Sequence, residues 1–535
     1  MLKRIRQLLP MTALFLCACA AQPPAPQQIS SIPVLPEQAH SLPDAGTTLL
    51  ASAQPLTGIL SDIPVAQVPT DLWESMRRDF GLPTSNNARV RTQRNWYARH
   101  PGYMRRVSQR AGRYAAYILQ QVRQRNLPAE IALLPIVESA YDPFAYSHGR
   151  AAGLWQFIPA TGKRFKLKQD WWYDGRRDLI ESTRAALDYL EYLNKRFDGD
   201  WMLALAAYNS GEGTVGKAVR RNRKKGKPVS FWDLDLPRET RDYVPKLIAL
   251  KQLVNSPEKY QVTLEPVDAQ PSFDVIDTGG QIDLAIAADL AGVELDTLYR
   301  FNPGFNQWAT PPKGPHRLLV PKDKSEQFRE AIAQLPPKKR IQWVRHKVKS
   351  GQTLGHIARR YHTTVDALKA ANQIRGHSIR AGKYLLVPVS SKGQENYRLS
   401  ASQRLNRKQN ANRKGQRSQH IVSRGDTFWD LSRQYKVSMR KLASWNGMAP
   451  GDPLRVGQKL VLWTNQPTNN RAHPGARRRA IFYTVRKGDS LSRISSRFKV
   501  RVSDLRRWNG LPQKGYLQPG QHLKLYVDVT RQSGT

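Results

Sequence analysis

Leu133-Leu134-Pro135-Ile136-Val137-Glu138-Ser139-Ala140 sets one carboxylate behind a run of aliphatic side chains. An acid so placed ends a buried element; it does not lie on a solvated helix face. Gly153-Leu154-Trp155-Gln156-Phe157-Ile158-Pro159 begins 15 residues later, and Ala206-Ala207-Tyr208-Asn209-Ser210-Gly211 follows. Around these stretches the apolar spacing is helical, over Met104–Arg125, Glu130–Ser139, Ala151–Phe165, Leu179–Phe197, Met202–Asn209 and Arg238–Leu253. In the fourth of these, Leu179, Ala186, Leu187, Leu190 and Leu193 make a buried stripe. Strand signals are scarce, so residues 67–260 are expected to form an all-α domain.

The three stretches, in this order, resemble the motifs of the lytic transglycosylases, which cleave the glycan strands of bacterial peptidoglycan. The resemblance implies a lysozyme-like catalytic domain with Glu138 as its catalytic residue. A glycosidic bond breaks when its leaving oxygen is protonated as an oxocarbenium-like centre forms. A glutamic acid in an apolar pocket can hold the required proton near neutral pH, because desolvation disfavours its charged form. Pro128 is expected to open the helix. Ile131, Leu134 and Val137 are expected to supply its buried side, and Pro135 to bend it and free a carbonyl near the carboxylate.

No second acid pairs with Glu138 in the sequence. Asp142, in Tyr141-Asp142-Pro143, reads as a turn former, and Asp170, Asp174 and Asp178 read as loop and cap residues. That suits a lytic transglycosylase, in which one residue gives a proton and then takes one. The product is a 1,6-anhydro sugar, formed without added water. The family pattern also implies substrate-binding roles for Ser147, Gln156, Ile158, Tyr208, Asn209 and Tyr243, with Tyr208 and Asn209 able to hold Glu138 or an N-acetyl group. Trp155 and Ile158 stand where many relatives carry Met, which matches a D-type variant of the family. No cofactor is expected, and no metal either: His346, His356, His362 and His377 read as scattered surface histidines.

The C-terminal part repeats itself. Val348-Lys349-Ser350-Gly351-Gln352-Thr353-Leu354 is matched by Val422-Ser423-Arg424-Gly425-Asp426-Thr427-Phe428 and Val485-Arg486-Lys487-Gly488-Asp489-Ser490-Leu491. From each glycine an asparagine lies 21 residues on: Asn372, Asn446 and Asn509. A second glycine then introduces a β-rich run. This order (strand, turn, two helices, strand) resembles the LysM module, a small α+β (βααβ) carbohydrate-binding unit. Three modules are expected, at 344–389, 420–464 and 481–527. Residues 261–340 carry a weaker copy, ending in Asn302-Pro303-Gly304 and Leu318-Leu319-Val320-Pro321, and read as a degenerate module or a structured connector. Residues 390–419 and 465–480 are polar and basic, and read as extended linkers that let the modules reach separate glycan chains.

At 535 residues the chain is too long for one core, so a multidomain architecture is expected. Its formal charge is +43, and residues 338–535 hold 42 Lys and Arg against 8 Asp and Glu. Such a tail attracts a polyanion. Met1-Leu2-Lys3-Arg4-Ile5-Arg6 precedes an apolar stretch of about 14 residues, short of the ~20 needed to span a bilayer, so it reads as a secretion signal. It runs into Leu16-Cys17-Ala18-Cys19, which resembles the lipobox of bacterial lipoproteins. Residues 1–19 are then a signal peptide, Cys19 is lipidated, and 20–66 form a flexible tether. Ala20 implies sorting to the periplasmic face of the outer membrane. The expected partners are peptidoglycan glycan strands and, through the lipid, a membrane; a monomer is expected and nucleic acid is not. The competing readings are a hydrolytic muramidase, a non-catalytic wall-binding protein, and a nucleic-acid binder acting through the basic tail.

Overall fold

The computed structural model describes residues 69–464, 478–486, 488–498, 500–512 and 517–528. The signal peptide, Cys19, the tether and residues 465–477 of the second linker lie outside these.

Ten helices build the first body. They are α1 (Leu72–Arg78), α2 (Ala88–Ala98), α3 (Pro101–Ala111), α4 (Ala115–Gln124) and α5 (Leu134–Ser139), then α6 (Pro159–Arg164), α7 (Leu179–Arg196), α8 (Trp201–Ser210), α9 (Glu212–Lys224) and α10 (Arg238–Asn255). Short polar side chains open several of them. Asp71, Asn87, Asp178 and Asp200 each accept the N–H three residues on, at 2.9–3.1 Å. The predicted stripe on α7 is buried and joins the inner faces of α4, α8 and α10 in one core.

Three helix predictions change. Met104–Arg125 is two helices, broken between Ala111 and Ala115. Glu130–Ser139 starts as a 3-10 turn over Ala129–Leu133, so Pro135 stands at the head of α5 and bends nothing. The carbonyl of Ile131, four residues before Pro135, accepts the Leu134 N–H and is not freed. Ala151–Phe165 is mostly an irregular loop, with α6 starting only at Pro159. The helix α9 was not foreseen: two glycines and a run of cations hide a narrow apolar face of Val215 and Ala218.

Residues 273–334 form a βααβ unit with one added helix. Strand β1 (Phe273–Asp277) pairs antiparallel with β2 (Arg317–Pro321), with Val275 opposite Leu319. Between them lie α11 (Leu284–Ala291) and α12 (Leu295–Phe301), and α13 (Ser325–Gln334) follows. The unit packs on the helical body: Arg317 pairs with Asp178 at 2.9 Å, and Tyr114 Oη donates to the Arg300 carbonyl.

Three further units share this plan. The first has β3 (Gln342–Lys347), α14 (Leu354–Arg360), α15 (Val365–Ala371) and β4 (Tyr384–Val389). Between it and the second comes α16 (Ala401–Asn410). The second has β5 (Gln416–Ile421), α17 (Phe428–Gln434), α18 (Met439–Trp445) and β6 (Lys459–Thr464). The third has β7 (Arg478–Thr484), α19 (Leu491–Arg497), α20 (Val502–Trp508) and β8 (His522–Asp528). Each pair of strands is antiparallel.

The repeated asparagine does the same work in all four units. Asn446 donates to the Leu442 and Val461 carbonyls and accepts the Val461 N–H, stitching helix end to closing strand. Asn372, Asn509 and Asn302 make the equivalent three bonds. Asn302 thereby marks the weak copy as a member of the series. His346 departs from its surface reading. It is 5 % exposed, and its ring nitrogens contact Tyr361 Oη and Gln352 Oε1. His420 repeats that arrangement with Tyr435 and Asp426.

The first linker is not extended. Tyr397 is fully buried and donates to the carboxylate of Asp283, which also accepts the Ser391 N–H. Ser400 then caps α16. The sequence concealed this because α16 itself carries only Ala401 and Leu405 as apolar residues; its anchors are Tyr397 and Leu399 just before it.

Candidate active site

Two glutamates lie within nine residues of one another in the helical core, and their surroundings differ. Glu130 is 0 % exposed and saturated: Lys251 Nζ lies 2.7 Å away, and the Gly81 and Leu82 N–H groups donate to its two oxygens. A buried carboxylate so matched is a structural group. Among the described residues, Glu138 has no cation in ion-pair contact. Its Oε1 accepts from Tyr243 Oη at 2.6 Å, and its other oxygen has no hydrogen-bond partner among the described residues.

Burial pushes Glu138 up from the usual carboxylate range to about 7. The Tyr243 hydrogen bond opposes this shift, the Glu239 charge adds to it and the Lys246 charge opposes it. Glu239, in the first turn of α10, is exposed and makes no hydrogen bond to Glu138. An acid poised near 7 can both give and receive a proton at neutral pH.

The chain turns sharply after Glu138. Ala140 and Tyr141 are left-handed, at φ +50° and +53°, and so are Arg150 at +70° and Gln156 at +48°. Non-glycine residues seldom adopt this conformation, and such strain gathers at functional sites. Ser139 Oγ donates to the Leu154 carbonyl at 3.0 Å and ties α5 to the loop before α6. Gly153 permits that loop. Its φ is +82°, and a Cβ there would lie 1.9 Å from the Arg176 carbonyl oxygen.

The loop places several expected residues. Gln156 Nε2 donates back to the Gly153 carbonyl. Trp155 is buried and donates to Thr183 Oγ1, while its carbonyl accepts from Tyr208 Oη at 2.9 Å. The backbone of Ala152 bridges to both Tyr146 and Phe157, which joins the Ser147 turn to the Gln156 turn. Ser147 Oγ accepts the Gly149 and Ala151 N–H groups. Ile158 is 45 % exposed.

Tyr208 and Asn209 differ from expectation. Neither hydrogen-bonds Glu138: Tyr208 supports Trp155, and Asn209 Oδ1 accepts from Thr240 Oγ1 at 2.8 Å. Tyr208 is close enough for the Glu138 charge to raise its phenol further above the usual range, after burial. Among the described residues, Glu138 is held by a hydrogen bond from Tyr243 alone. Sequence reasoning missed Thr240, although it lies three residues before Tyr243, on the same face of α10. It also missed Asp174, Arg176 and Arg177. This buried cluster supports the loop from below, with Arg176 donating to the Arg150 and Phe157 carbonyls. Among the described residues, no group of three or more His, Cys, Asp or Glu could hold a metal ion.

Known families match the centre of the helical body and each of the four βααβ units. The Transglycosylase SLT domain matches residues 116–231, which contain Glu138, Gln156, Tyr208 and Asn209. The LysM-like domain of lytic transglycosylase MltD matches 272–336, and the LysM domain matches 346–388, 420–463 and 483–525. The membrane-bound lytic murein transglycosylase D of Escherichia coli K12 is 35 % identical over 457 residues, spanning 85 % of this chain and 86 % of that one.

The chain belongs to the lytic murein transglycosylase D family.

An autolysin of Enterococcus faecalis is 34 % identical over 172 residues, 31 % of this chain and 22 % of its own. Among solved structures, an inactive variant of lytic transglycosylase Slt from Pseudomonas aeruginosa aligns over 28 % of this chain and 24 % of its own. Its identity is 22 % and its TM-score 0.22, too low to carry an argument. As a member of this family, the chain joins a helical transglycosylase domain to one LysM-like unit and three LysM modules. Among the described residues, no helix is long and apolar enough to cross a membrane.

Proposed function

We propose that this enzyme cleaves the β-1,4 bond between N-acetylmuramic acid and N-acetylglucosamine in peptidoglycan, with Glu138 as its acid and base. The supporting observation is the contrast between the two glutamates, Glu130 fully buried and Glu138 half-buried. Glu130 is neutralised by Lys251; Glu138 meets only a phenol and is poised near 7.

Protonated Glu138 gives its proton to the glycosidic oxygen as the C1–O bond breaks, and N-acetylglucosamine leaves with a free 4-hydroxyl. The carboxylate then takes the proton of the muramic acid C6 hydroxyl, whose oxygen closes on C1. Glu138 ends protonated, no water is consumed, and the product is a 1,6-anhydro end. Tyr243 holds Oε1 throughout, which leaves the second oxygen for proton transfer. Ser147, Gln156, Ile158, Tyr208 and Asn209 line the cleft; the hydrogen bonds of Tyr208 and Asn209 to Trp155 and Thr240 make their part chiefly one of support. The LysM modules hold the monomeric enzyme on the wall, and a lipid on Cys19 holds it at the periplasmic face of the outer membrane.

Glu138→Gln keeps the shape and removes the proton. It should abolish release of soluble muropeptides from purified sacculi while leaving sedimentation with sacculi unchanged. Mass spectrometry of the wild-type products should show ends one water lighter than a reducing sugar. Retained lysis by the variant would remove Glu138 from the mechanism; reducing ends alone would make the enzyme a muramidase.

A further inference from the structure

The turn that carries Ser147 is gripped from two sides. From within, Arg176 donates to the carbonyls of Arg150 and Phe157, at 2.8 and 3.3 Å. From without, the second LysM module reaches it through Asp452. The Oδ1 of Asp452 lies 2.6 Å from Arg150 Nε, and its Oδ2 accepts from Tyr146 Oη at 3.2 Å. Oδ2 also accepts the Ala449 N–H at 2.8 Å, so the carboxylate is set by its own turn before it meets the catalytic domain. Its side chain is 12 % exposed.

The module reaches this place along α16. At its start, the Ala401 N–H donates to the Asn306 carbonyl of the LysM-like unit. In its first half, the Arg404 guanidinium lies 4.6 Å from the centre of the Phe144 ring, just ahead of the gripped turn. At its end, Gln409 donates to Asn446 Oδ1, the asparagine at the core of the second module. The helix is thus a strut with contacts on the LysM-like unit, the catalytic domain and the second module.

An exposed ion pair contributes little to stability, about 0–1 kcal/mol. What a largely buried carboxylate with two hydrogen-bond donors and one paired guanidinium supplies is geometry. Here the geometry belongs to a strained turn, with Arg150 left-handed, and Ser147 lies between Tyr146 and Arg150.

We propose that Asp452 is a positioning residue for the transglycosylase reaction: it holds Tyr146 and Arg150, sets the turn that presents Ser147 to the sugar, and makes the second LysM module a fixed extension of the cleft wall. The substrate this arrangement favours is a glycan strand long enough to touch module and cleft together. This rests on the assignment of the cleft around Glu138.

The full chain tests it, with purified sacculi as substrate and Asp452→Asn, Arg150→Gln and the double variant compared. Asp452→Asn keeps an oxygen for the Ala449 N–H, so the module retains its turn. Each single variant should raise KM about tenfold with kcat kept, because Ser147 meets the sugar and not the breaking bond. The double variant should be no worse than either single one, as partners in one interaction are not additive. Sedimentation of Asp452→Asn with sacculi should be unchanged. A mere loss of folded enzyme would lower kcat and leave KM alone, and would overturn the proposal. So would wild-type kinetics in the single variants, losses that multiply in the double variant, or a rise in turnover, which would make the contact a brake. Activity in Glu138→Gln would remove the cleft assignment; inactive Glu138→Gln beside wild-type Asp452→Asn would remove only this inference.

Discussion

The Tyr243 hydroxyl sets how strongly Glu138 holds its proton. Its hydrogen bond favours the carboxylate and so works against the burial that raises the acid to about 7. Since the proposed first step needs protonated Glu138, kcat/KM should fall as pH rises through about 7. Tyr243→Phe removes that hydrogen bond, so Glu138 moves higher and the alkaline limb of the profile shifts to higher pH. Turnover on the acid side should fall roughly tenfold as the carboxylate loses its fixed orientation. A limb that stays in place would show that Tyr243 does not tune the acid. The same shift affects stability. The folded chain keeps a proton that the unfolded chain releases near 4.5, so the stability linked to Glu138 is full below that pH and is lost as pH rises towards 7. Glu138→Gln should therefore be about 1–3 kcal/mol more stable than the wild type at pH 8 and no more stable at pH 4, as calorimetry at the two pH values would reveal. Equal melting at pH 8 would mean that the carboxylate is well solvated. Glu138 stood out in the sequence as the candidate acid, because a lone carboxylate behind aliphatic residues has few structural uses. Its partner did not: Tyr243 lies 105 residues away, and the packing of α5 against α10 selects it over Tyr208.

Elements were legible where a repeated pattern fixes them and obscure where single contacts do. The stripe of α7 and the spacing of the LysM repeats each carry many residues saying the same thing. The stretch Ala151–Phe165 misleads, because its apolar residues mimic a helical spacing while Gly153 and Gln156 turn left-handed. The asparagine 21 residues past each turn glycine was visible as a repeat, but its role was not. Asn446 pairs with two carbonyls and one N–H of its module. Asn446→Ala strands those groups at a cost of about 2–4 kcal/mol to that module. Amide hydrogen exchange should show β6 losing protection while α7 and α10 keep theirs. Uniform protection across β6 would mean that water replaces the asparagine without penalty.

At the scale of the whole molecule, the polar composition of residues 390–419 suggested a free tether, and two apolar residues make it a strap. Tyr397 and Leu399 are buried in the core that the LysM-like unit shares with Trp172 and Tyr173 of the helical body. Asp283 anchors the strap: it is fully buried, it caps α11, and it accepts both Tyr397 Oη and the Ser391 N–H. These contacts assign the strap to the LysM-like unit packed on the helical body, although it follows the first LysM module in sequence. A chain ending at residue 389 should therefore be less stable than one ending at residue 412. The shorter chain leaves a buried carboxylate without two of its donors and exposes the sites of two large side chains. Burial of such side chains contributes roughly 1.5–3 kcal/mol each, and an unpaired buried acceptor costs about 1–3 kcal/mol more. The expected loss is at least about 3 kcal/mol, several degrees in the main thermal transition. Both chains contain the helical body, the LysM-like unit and the first module, so the comparison isolates the strap. Equal transitions would mean that the strap rests on the LysM-like unit without stabilising it, and α16 would then be too loosely held to steer the second module to the cleft.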